Sequence, residues 1–590
     1  MGSTGAVCAL LAALCGACQA LQGGMLFPTE SPSREVKDVS GLWSFRADLS
    51  PERNRGFEQH WYRSPLAQTG PVIDMPVPSS YNDITQDAKI RDFIGWVWYE
   101  KDVWVPARWI QDRGARIVLR VGSAHYYSVL WVNGVKVTEH EGGHLPFEAD
   151  ISGVLRQTSG NPCRITIAVN NTLTLETLPP GTIQYMNDRS RYPAGYFVQN
   201  TDFDFFNYAG IHRPVLLYTT PKAHIDDISV ETTFSDNIGK HQPKSVFIHL
   251  LFVNSFPYGQ VPGFIYIYIH SIIGNAFSSR THTDPMSVKH CIVTSLTPRF
   301  VWQIRGKGFD WPLVVKDFNL MKWMGVNSFR TSHYPYAEEI LQMADRHGII
   351  INVCVCVFLR RSFGNVSLAH HLTVMEELVR RDKNHPSVVM WSVANEPASE
   401  MPPAGFYFKE LVSHTKSLDS SRPVTYITDS NYARDQGAQY VDVICVNSYL
   451  SWYHDPGHTE LISLQLNTQF DDWYDKYQKP IIQSEYGADA VAGLHSDPPM
   501  MFTEEYQTTV LQNYHNVFDQ KRKEFVIGEL IWNFADFMTA QTITRVVGNK
   551  KGIFTRQRQP KAGALLLRER YWRIANETGV LPTWARYPCQ

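Results

Sequence analysis

The chain has no excess of either charge and few cysteines for its length. Its 590 residues contain 55 Lys and Arg against 57 Asp and Glu, which gives a net charge of −2. A balance this even lacks the basic footprint of a protein that binds nucleic acid. Three of the 9 cysteines lie within the first 18 residues, and the other six are too widely scattered for a zinc site or a dense disulfide framework. We therefore predict neither a nucleic-acid partner nor a metal, and a chain of this length requires about two to four domains.

Long apolar segments are also missing, except at the amino terminus. Residues 7–17 are continuously apolar or small, and small residues follow at Cys18 and Ala20. This pattern is typical of a secretory signal peptide, which we predict at residues 1–20, and it is too short for a membrane span. Sequons for N-glycosylation agree with passage through the secretory pathway and occur at Asn170, Asn365 and Asn576. The prediction is a lumenal glycoprotein without a membrane span.

Helical periodicity is absent from residues 21–222. Short alternating runs are separated by turn residues, and Asn133-Gly134 stands between two such runs at residues 127–132 and 135–137. Asn-Gly favours the positive φ angles that a tight hairpin turn needs. We predict that residues 21–222 form a β-sandwich of jelly-roll type.

From residue 304 onward the pattern changes to helices that alternate with buried strands. Apolar residues at helical spacing run from Val314 to Met324, and a helix stop follows at Gly325. Seven buried strands are predicted, at residues 326–329, 349–358, 388–394, 424–428, 441–446, 480–483 and 525–532. Helices between parallel strands indicate an α/β barrel or a doubly wound sheet over residues 304–590.

A closed barrel needs eight strands, so the first strand of a barrel here is doubtful. A segment before the first helix, such as residues 291–296, could substitute for it, but we expect the barrel not to close stably. The preceding region, residues 223–303, is unusual because no Asp, Glu, Lys or Arg occurs from Ser245 to Ser279. Its pattern is more typical of a small β-domain than of a membrane span.

Two glutamates follow buried strands and carry the chemistry that we predict. Glu396 stands in Asn395-Glu396-Pro397, and Glu485 stands in Ser484-Glu485-Tyr486. The carboxyl ends of barrel strands form the catalytic face. Glycosidic cleavage needs one carboxyl group to protonate the leaving oxygen and a second to stabilise the cationic centre. Each glutamate alone could be an ordinary loop charge, but the pair indicates a glycosidase.

Five motifs give a more specific resemblance: Trp391-Ser-Val-Ala-Asn-Glu-Pro397, Ile481-Ile-Gln-Ser-Glu-Tyr-Gly487, Gly528-Glu-Leu-Ile-Trp-Asn-Phe-Ala-Asp-Phe537, Phe329-Arg-Thr-Ser-His-Tyr-Pro335 and Gly548-Asn-Lys-Lys-Gly-Ile-Phe554. With them the chain resembles the glucuronidases of glycoside hydrolase family 2, over about residues 21–230 and 304–578. The resemblance implies a jelly roll, an immunoglobulin-like β-sandwich and a catalytic TIM (β/α)8 barrel. The immunoglobulin-like domain would be the altered or truncated segment 223–303. No cofactor is implied.

The resemblance also implies roles for individual residues. Glu396 would be the acid/base and Glu485 the nucleophile of a retaining mechanism. Further substrate contacts would come from Tyr449, Asn395, His333, Asp204 and Trp532.

Recognition of a sugar acid would depend on Arg545, Asn549 and Lys551. A substrate carboxylate requires a cation that a neutral hexose would leave unpaired. We interpret the charge of Lys551 in this way because a cation at the mouth of a barrel has no other obvious purpose than to meet an anionic substrate group.

The implied function is that of a lysosomal exo-β-glucuronidase that removes terminal β-D-glucuronic acid from glycosaminoglycan fragments and glucuronide conjugates. A homotetramer is implied as well. Two departures leave alternatives open. The family's Gly-Val-Asn-Lys-His-Glu-Asp motif after the first barrel strand is missing, and residues 352–364 depart from the usual Asp-Glu-Cys-Pro ending of the third strand. The alternatives are a catalytically impaired glycan-binding homologue or defective chain, and a family 2 β-galactosidase or β-mannosidase. We expect this chain to be poorly secreted and weakly active.

Overall fold

The structure is a computed structural model that describes residues 26–158, 162–201, 203–234, 243–253, 263–269, 293–296, 306–354, 363–539 and 545–579. The predicted signal peptide at residues 1–20 lies outside the described residues, as do parts of the segments 233–303 and 352–364. No helix within the described ranges combines the length and the apolar character needed to cross a membrane.

Residues 36–221 form the predicted β-sandwich. Its strands are β1 Val36–Asp38, β2 Gly41–Ala47, β3 Ile73–Val77, β4 Trp96–Val103, β5 Ala115–Val121, β6 Ala124–His125, β7 Tyr127–Val132, β8 Val135–Glu141, β9 Phe147–Asp150, β10 Cys163–Asn170, β11 Gly181–Tyr185, β12 Phe197–Thr201, β13 Gly210–Ile211 and β14 Val215–Pro221. Short helices occupy Arg55–Glu58, Trp61–Arg63, Leu66–Thr69, Tyr81–Asp83, Ala88–Arg91, Ala107–Gln111 and Ser152–Gln157. The main sheets have the orders β3-β2-β4-β10-β7-β8 and β1-β14-β5-β9.

The two main sheets enclose an apolar core. Inward-facing residues of both sheets, such as Phe45, Leu119 and Ile167, are buried in one cluster. The hairpin predicted at Asn133-Gly134 joins β7 to β8, and the two residues have φ angles of 50° and 81°. The predicted hairpin turn at Asn133-Gly134 is thus confirmed.

A three-stranded antiparallel sheet follows the sandwich. It consists of β15 His224–Phe234, β16 Pro243–Val253 and β17 Gly263–Ile269. The uncharged stretch of the sequence therefore supplies strands, as predicted for a small β-domain.

The carboxyl-terminal half is a closed eight-stranded barrel. Its strands in order are β18 Val293–Leu296, β19 Ser328–Arg330, β20 Ile350–Cys354, β21 Val388–Asn395, β22 Val424–Thr428, β23 Ile444–Asn447, β24 Ile481–Glu485 and β25 Val526–Ile531. Its helices are Trp311–Met324, Glu338–His347, Asn365–Asp382, Pro402–Leu418, Thr459–Leu461, Ile462–Tyr477, Glu504–Lys521 and Ala562–Thr578. The helix stop predicted at Gly325 is confirmed, and this residue has a φ of 79°.

The prediction that the barrel does not close is wrong. Strand β18 pairs in parallel with both β19 and β25, so neither neighbour is left with an open edge. Val-Thr-Ser-Leu is short and half polar, so a search for apolar runs does not detect it. This segment is a strand because its backbone forms hydrogen bonds with β19 and β25 on both sides. Such pairing does not require a hydrophobic pattern in the segment itself.

A buried ion pair and a hydrogen bond join the sandwich to the barrel. Arg120 on β5 lies 2.9 Å from Glu338 at the start of a barrel helix, and both side chains are almost fully buried. Arg213 also donates to the backbone carbonyl of Pro335. These contacts hold the sandwich against the barrel, and the sandwich loop at Asp204 reaches the barrel mouth.

Candidate active site

A cavity with a volume of about 760 Å³ lies at the carboxyl ends of the barrel strands. Its lining contains most of the predicted site residues: Asp204, His333, Asn395, Glu396, Tyr449, Glu485, Trp532 and Arg545. Glu396 follows β21 and has a φ of 43°, in the left-handed region that is costly for a residue with a side chain. Glu485 is the last residue of β24. The structure thus places both glutamates in one cavity.

Glu485 is buried and held on both carboxylate oxygens. Arg330 lies 2.7 Å from Oε1, and the hydroxyl of Tyr449 donates to Oε2 at 2.6 Å. Burial raises the pKa of Glu485 above its ordinary value, whereas the charge of Arg330 and the hydrogen bond from Tyr449 act to lower it. These partners favour the ionised carboxylate although it is buried, and they fix its orientation.

Arg330, at the end of β19, organises more than this one carboxylate. Its guanidinium donates to Asn395 Oδ1 and, at 2.8 Å, to His333 Nδ1. The His333 ring stacks on Trp532 with centroids 4.9 Å apart. Sequence reasoning missed Arg330 as a site residue, although it stands in one of the five motifs and directly follows a predicted strand.

Asn447, at the end of β23, links the two glutamates. Its Nδ2 donates to Glu396 Oε1 at 2.7 Å, and its Oδ1 accepts a hydrogen bond from Ser484 beside Glu485 at 2.8 Å. Its side chain also acts to lower the pKa of Glu485. Sequence reasoning missed this residue as well; the available signal was its place at a strand end, two residues before Tyr449.

The three residues predicted to recognise a sugar acid lie together beside the cavity. Arg545 donates to Asp204 Oδ1 at 3.0 Å and to the hydroxyl of Tyr453 at 2.7 Å. Asn549 donates to Asp204 Oδ2 at 3.1 Å. Although partial burial acts in the opposite direction, Arg545 holds the pKa of Asp204 below its ordinary value. Asp204 is therefore an anion that orients Arg545 and Asn549.

Lys551 lies behind this group and is fully buried. Its Nζ is 2.8 Å from Asp489 Oδ2 and 2.9 Å from the hydroxyl of Tyr453. The charge of Lys551 thus has a protein counter-ion in Asp489, and its recognition of a sugar acid stays a prediction. This partner is distant in the sequence and could not be inferred from it. Tyr453 lines the cavity and also contacts Lys551, so a ligand carboxylate would approach Lys551 from the side of Tyr453.

The rest of the cavity is mixed in character. Polar and aromatic side chains line it between residues 429 and 473, among them Asn431, Tyr432, Gln469 and Trp473. No group of His, Cys, Asp or Glu suited to a metal ion occurs in the part of the chain that the structure describes.

The three sequons lie outside the cavity. Asn365 and Asn576 are exposed on helices, and Asn170 is partly exposed at the end of β10. The altered third strand ends at Cys354, and residues 355–362 lie outside the described ranges.

Comparisons with known proteins agree with this architecture. Residues 36–221 match the family model described as "Glycosyl hydrolases family 2, sugar binding domain", and residues 301–576 match "Glycosyl hydrolases family 2, TIM barrel domain". A β-glucuronidase of Mus musculus is 58% identical over 625 aligned positions, which cover 98% of this chain and 96% of the relative. The β-glucuronidase of Homo sapiens is 56% identical over 642 positions, with coverage of 100% and 98%. Since 642 exceeds the 590 residues of this chain, the relative contains positions that this chain lacks.

Solved structures show the same similarity. The β-D-glucuronidase of Dictyoglomus thermophilum superposes with a TM-score of 0.78 at 40% identity, covering 93% of this chain and 99% of the other. A Ruminococcus gnavus β-glucuronidase in complex with uronic deoxynojirimycin has a TM-score of 0.79 at 32% identity, covering 93% and 100%.

Proposed function

Because the chain belongs to glycoside hydrolase family 2, we propose that it is an exo-β-glucuronidase that removes terminal β-D-glucuronic acid with retention of configuration. The observation that carries this proposal is the pair of glutamates in one cavity with unlike surroundings. Arg330 and Tyr449 bind both oxygens of Glu485 and favour its ionised form, which suits a nucleophile. Glu396, next to Asn447, is then the acid/base.

The catalytic cycle follows from these two positions. Glu396 protonates the leaving oxygen while Glu485 attacks the anomeric carbon and forms a covalent glycosyl ester. After the aglycone departs, Glu396 removes a proton from water, and this water releases the sugar. Fixed hydrogen-bond donors on Glu485 reduce the reorganisation that the charge transfer requires.

We assign the selection of a sugar acid to Arg545, Asn549 and Lys551, which lie beside Tyr453. Arg545 at the cavity wall and Lys551 beneath it place two cations within reach of a carboxylate, and Asn549 can add a hydrogen bond. A substrate carboxylate would gain charge-assisted hydrogen bonds to these cations that a neutral hexoside cannot form, and this difference would favour the sugar acid. This is the reason to prefer a glucuronide over a galactoside or mannoside.

The substrates we propose are glycosaminoglycan fragments and glucuronide conjugates, and the proposed location is the lysosome. The polar and aromatic side chains between residues 429 and 473 suit an aglycone that is either a sugar or an aromatic alcohol. The likeness to mammalian β-glucuronidases supports both points, and a homotetramer is proposed on the same basis.

A mechanism-based inhibitor tests the proposal. A fluorinated glucuronide with a good leaving group should label the peptide that contains Glu485, and the product should retain its anomeric configuration. Retention requires carboxyl groups about 5 to 5.5 Å apart, whereas inversion requires about 6.5 to 9.5 Å. A Glu485→Gln variant is the matched unlabelled control. Label on Glu396, or an inverted product, would overturn the assignment.

The same preparation distinguishes the competing function. The family's usual residues after the first strand are missing, which favours an impaired homologue as the second candidate. Turnover of a chromogenic glucuronide, with the matching galactoside and mannoside as comparisons, separates the two. Absence of turnover by folded protein would favour the impaired homologue, and preference for a neutral hexoside would contradict the substrate assignment.

A further inference from the structure

The outer face of the six-stranded sheet carries an aromatic groove that the proposed function does not use. Its volume is about 470 Å³, and it shares no lining residue with the catalytic cavity. The lining consists of Asn54, Phe57, Tyr62, Trp96, Tyr127, Val129, Trp131, Gly134, Lys136 and Glu139. Several of these aromatic side chains are only partly buried. Aromatic rings with polar groups at the rim are suited to a sugar.

The strand register places a sequon at one end of this groove. Asn170 on β10 is paired with Trp96 on β4 and with Tyr127 on β7. Directly opposed residues of an antiparallel sheet project from the same face. Asn170 therefore lies between two aromatic side chains, whose ring centroids are 5.7 Å apart in an edge-to-face arrangement.

The orientation of the Asn170 amide favours attachment of a glycan. Its Oδ1 accepts a hydrogen bond from the backbone N–H of Thr172 at 2.9 Å, and its Nδ2 has no protein partner among the described residues. The neighbouring Asn171 faces the interior instead, where it bonds to the backbone of Gly95 and Phe93. The nitrogen of Asn170 is thus the atom available for modification.

We propose that Asn170 carries an N-linked glycan whose first N-acetylglucosamine packs on Trp96 and Tyr127, with the next sugar extending into the groove. In the transfer, Nδ2 forms a bond to C1 of a lipid-pyrophosphate-linked oligosaccharide, loses one proton and displaces the lipid pyrophosphate. The glycan then covers apolar ring surface that would otherwise contact water.

Polar groups along the groove provide hydrogen-bond partners for the following sugar. Lys136 and Glu139 form an exposed ion pair at 2.9 Å, and Tyr127 donates to Glu139 at 2.6 Å. Because the glycan is tethered at Asn170, its effective concentration at the groove far exceeds that of a free oligosaccharide. The occupant is therefore the chain's own glycan.

Native deglycosylation with peptide N-glycosidase, followed site by site by mass spectrometry, tests the docking. Asn365 is the matched control, since among the described residues the adjacent Phe363 already packs its ring against Tyr407 and Phe408. We expect release from Asn170 to be about tenfold slower than from Asn365. Trp96→Ala should bring the two rates together, and Tyr127→Leu is the second variant if Trp96→Ala does not fold.

Thermal unfolding gives an independent measurement. Asn170→Gln should lower the melting temperature by about 2–4 °C, whereas Asn365→Gln should leave it unchanged. In the Trp96→Ala background, Asn170→Gln should have little further effect, because the two changes remove the same contact. Trimming with an endoglycosidase that leaves the first sugar should preserve most of the stability.

Three outcomes would overturn the proposal. They are an unoccupied Asn170 in the secreted protein, equal release from Asn170 and Asn365 in the unmutated chain, and an Asn170→Gln effect that is the same with and without Trp96.

Discussion

Replacing Lys551 by Met tests the proposed selection of a sugar acid. Lys551 is completely buried, and its Nζ contacts Asp489 and the hydroxyl of Tyr453. Methionine has a similar length and no charge, so it removes the cation with little change in volume. A glucuronide carboxylate would lose its charge partner, whereas a glucoside would not.

The magnitude follows from the desolvated position of the ammonium group. Truncation of one partner of a buried charge pair costs about 2 to 5 kcal/mol of transition-state binding, or a factor of about 30 to several thousand in kcat/KM. The same change leaves the buried Asp489 without Lys551, which lies 2.8 Å away. Another cation, Arg545, is 3.8 Å from Asp489. Breaking such a pair also destabilises the fold by about 3 to 5 kcal/mol.

The assay must therefore separate binding from folding. We would measure kcat/KM for a glucuronide and the matching glucoside with Lys551→Met, Asp489→Asn and the double variant, together with their melting temperatures. The double variant has neither charge, so it should recover much of the stability without recovering activity on the glucuronide. Equal losses on both substrates, or recovery of glucuronide activity in the double variant, would refute a role in recognition and make Lys551 structural.

Three further changes probe other parts of the molecule. Tyr449→Phe removes a hydrogen bond that lowers the pKa of Glu485, so this pKa should rise and the acid limb of the kcat/KM profile should move to higher pH; an unchanged limb would contradict the assignment. Arg558→Met breaks the buried pair with Asp317 and should destabilise the fold by about 3 to 5 kcal/mol in chemical unfolding, while KM stays the same. Ser295→Pro removes a backbone donor from the first barrel strand and should abolish soluble expression, whereas normal yield would show that β18 is dispensable.

Local patterns determined much of the architecture. The Asn133-Gly134 turn, the helix stop at Gly325 and the seven apolar barrel strands are each encoded by a few neighbouring residues, because turn propensity and burial of an apolar run are local properties. The strand-end positions of Glu396 and Glu485 follow from the same patterns. Their placement on one rim could be predicted because the carboxyl ends of all the parallel strands of a barrel lie on the same face.

The tertiary structure decided what depends on pairing between distant segments. β18 is a strand because β19 and β25 hydrogen-bond to it on both sides, although its own four residues carry no clear pattern. Asp489 is the partner of Lys551 across two loops of the barrel mouth. Arg330 and Asn447 become site residues only when the barrel closes and brings their strand ends beside Glu485. Such contacts depend on the register and position of whole elements, and no local stretch of sequence specifies these.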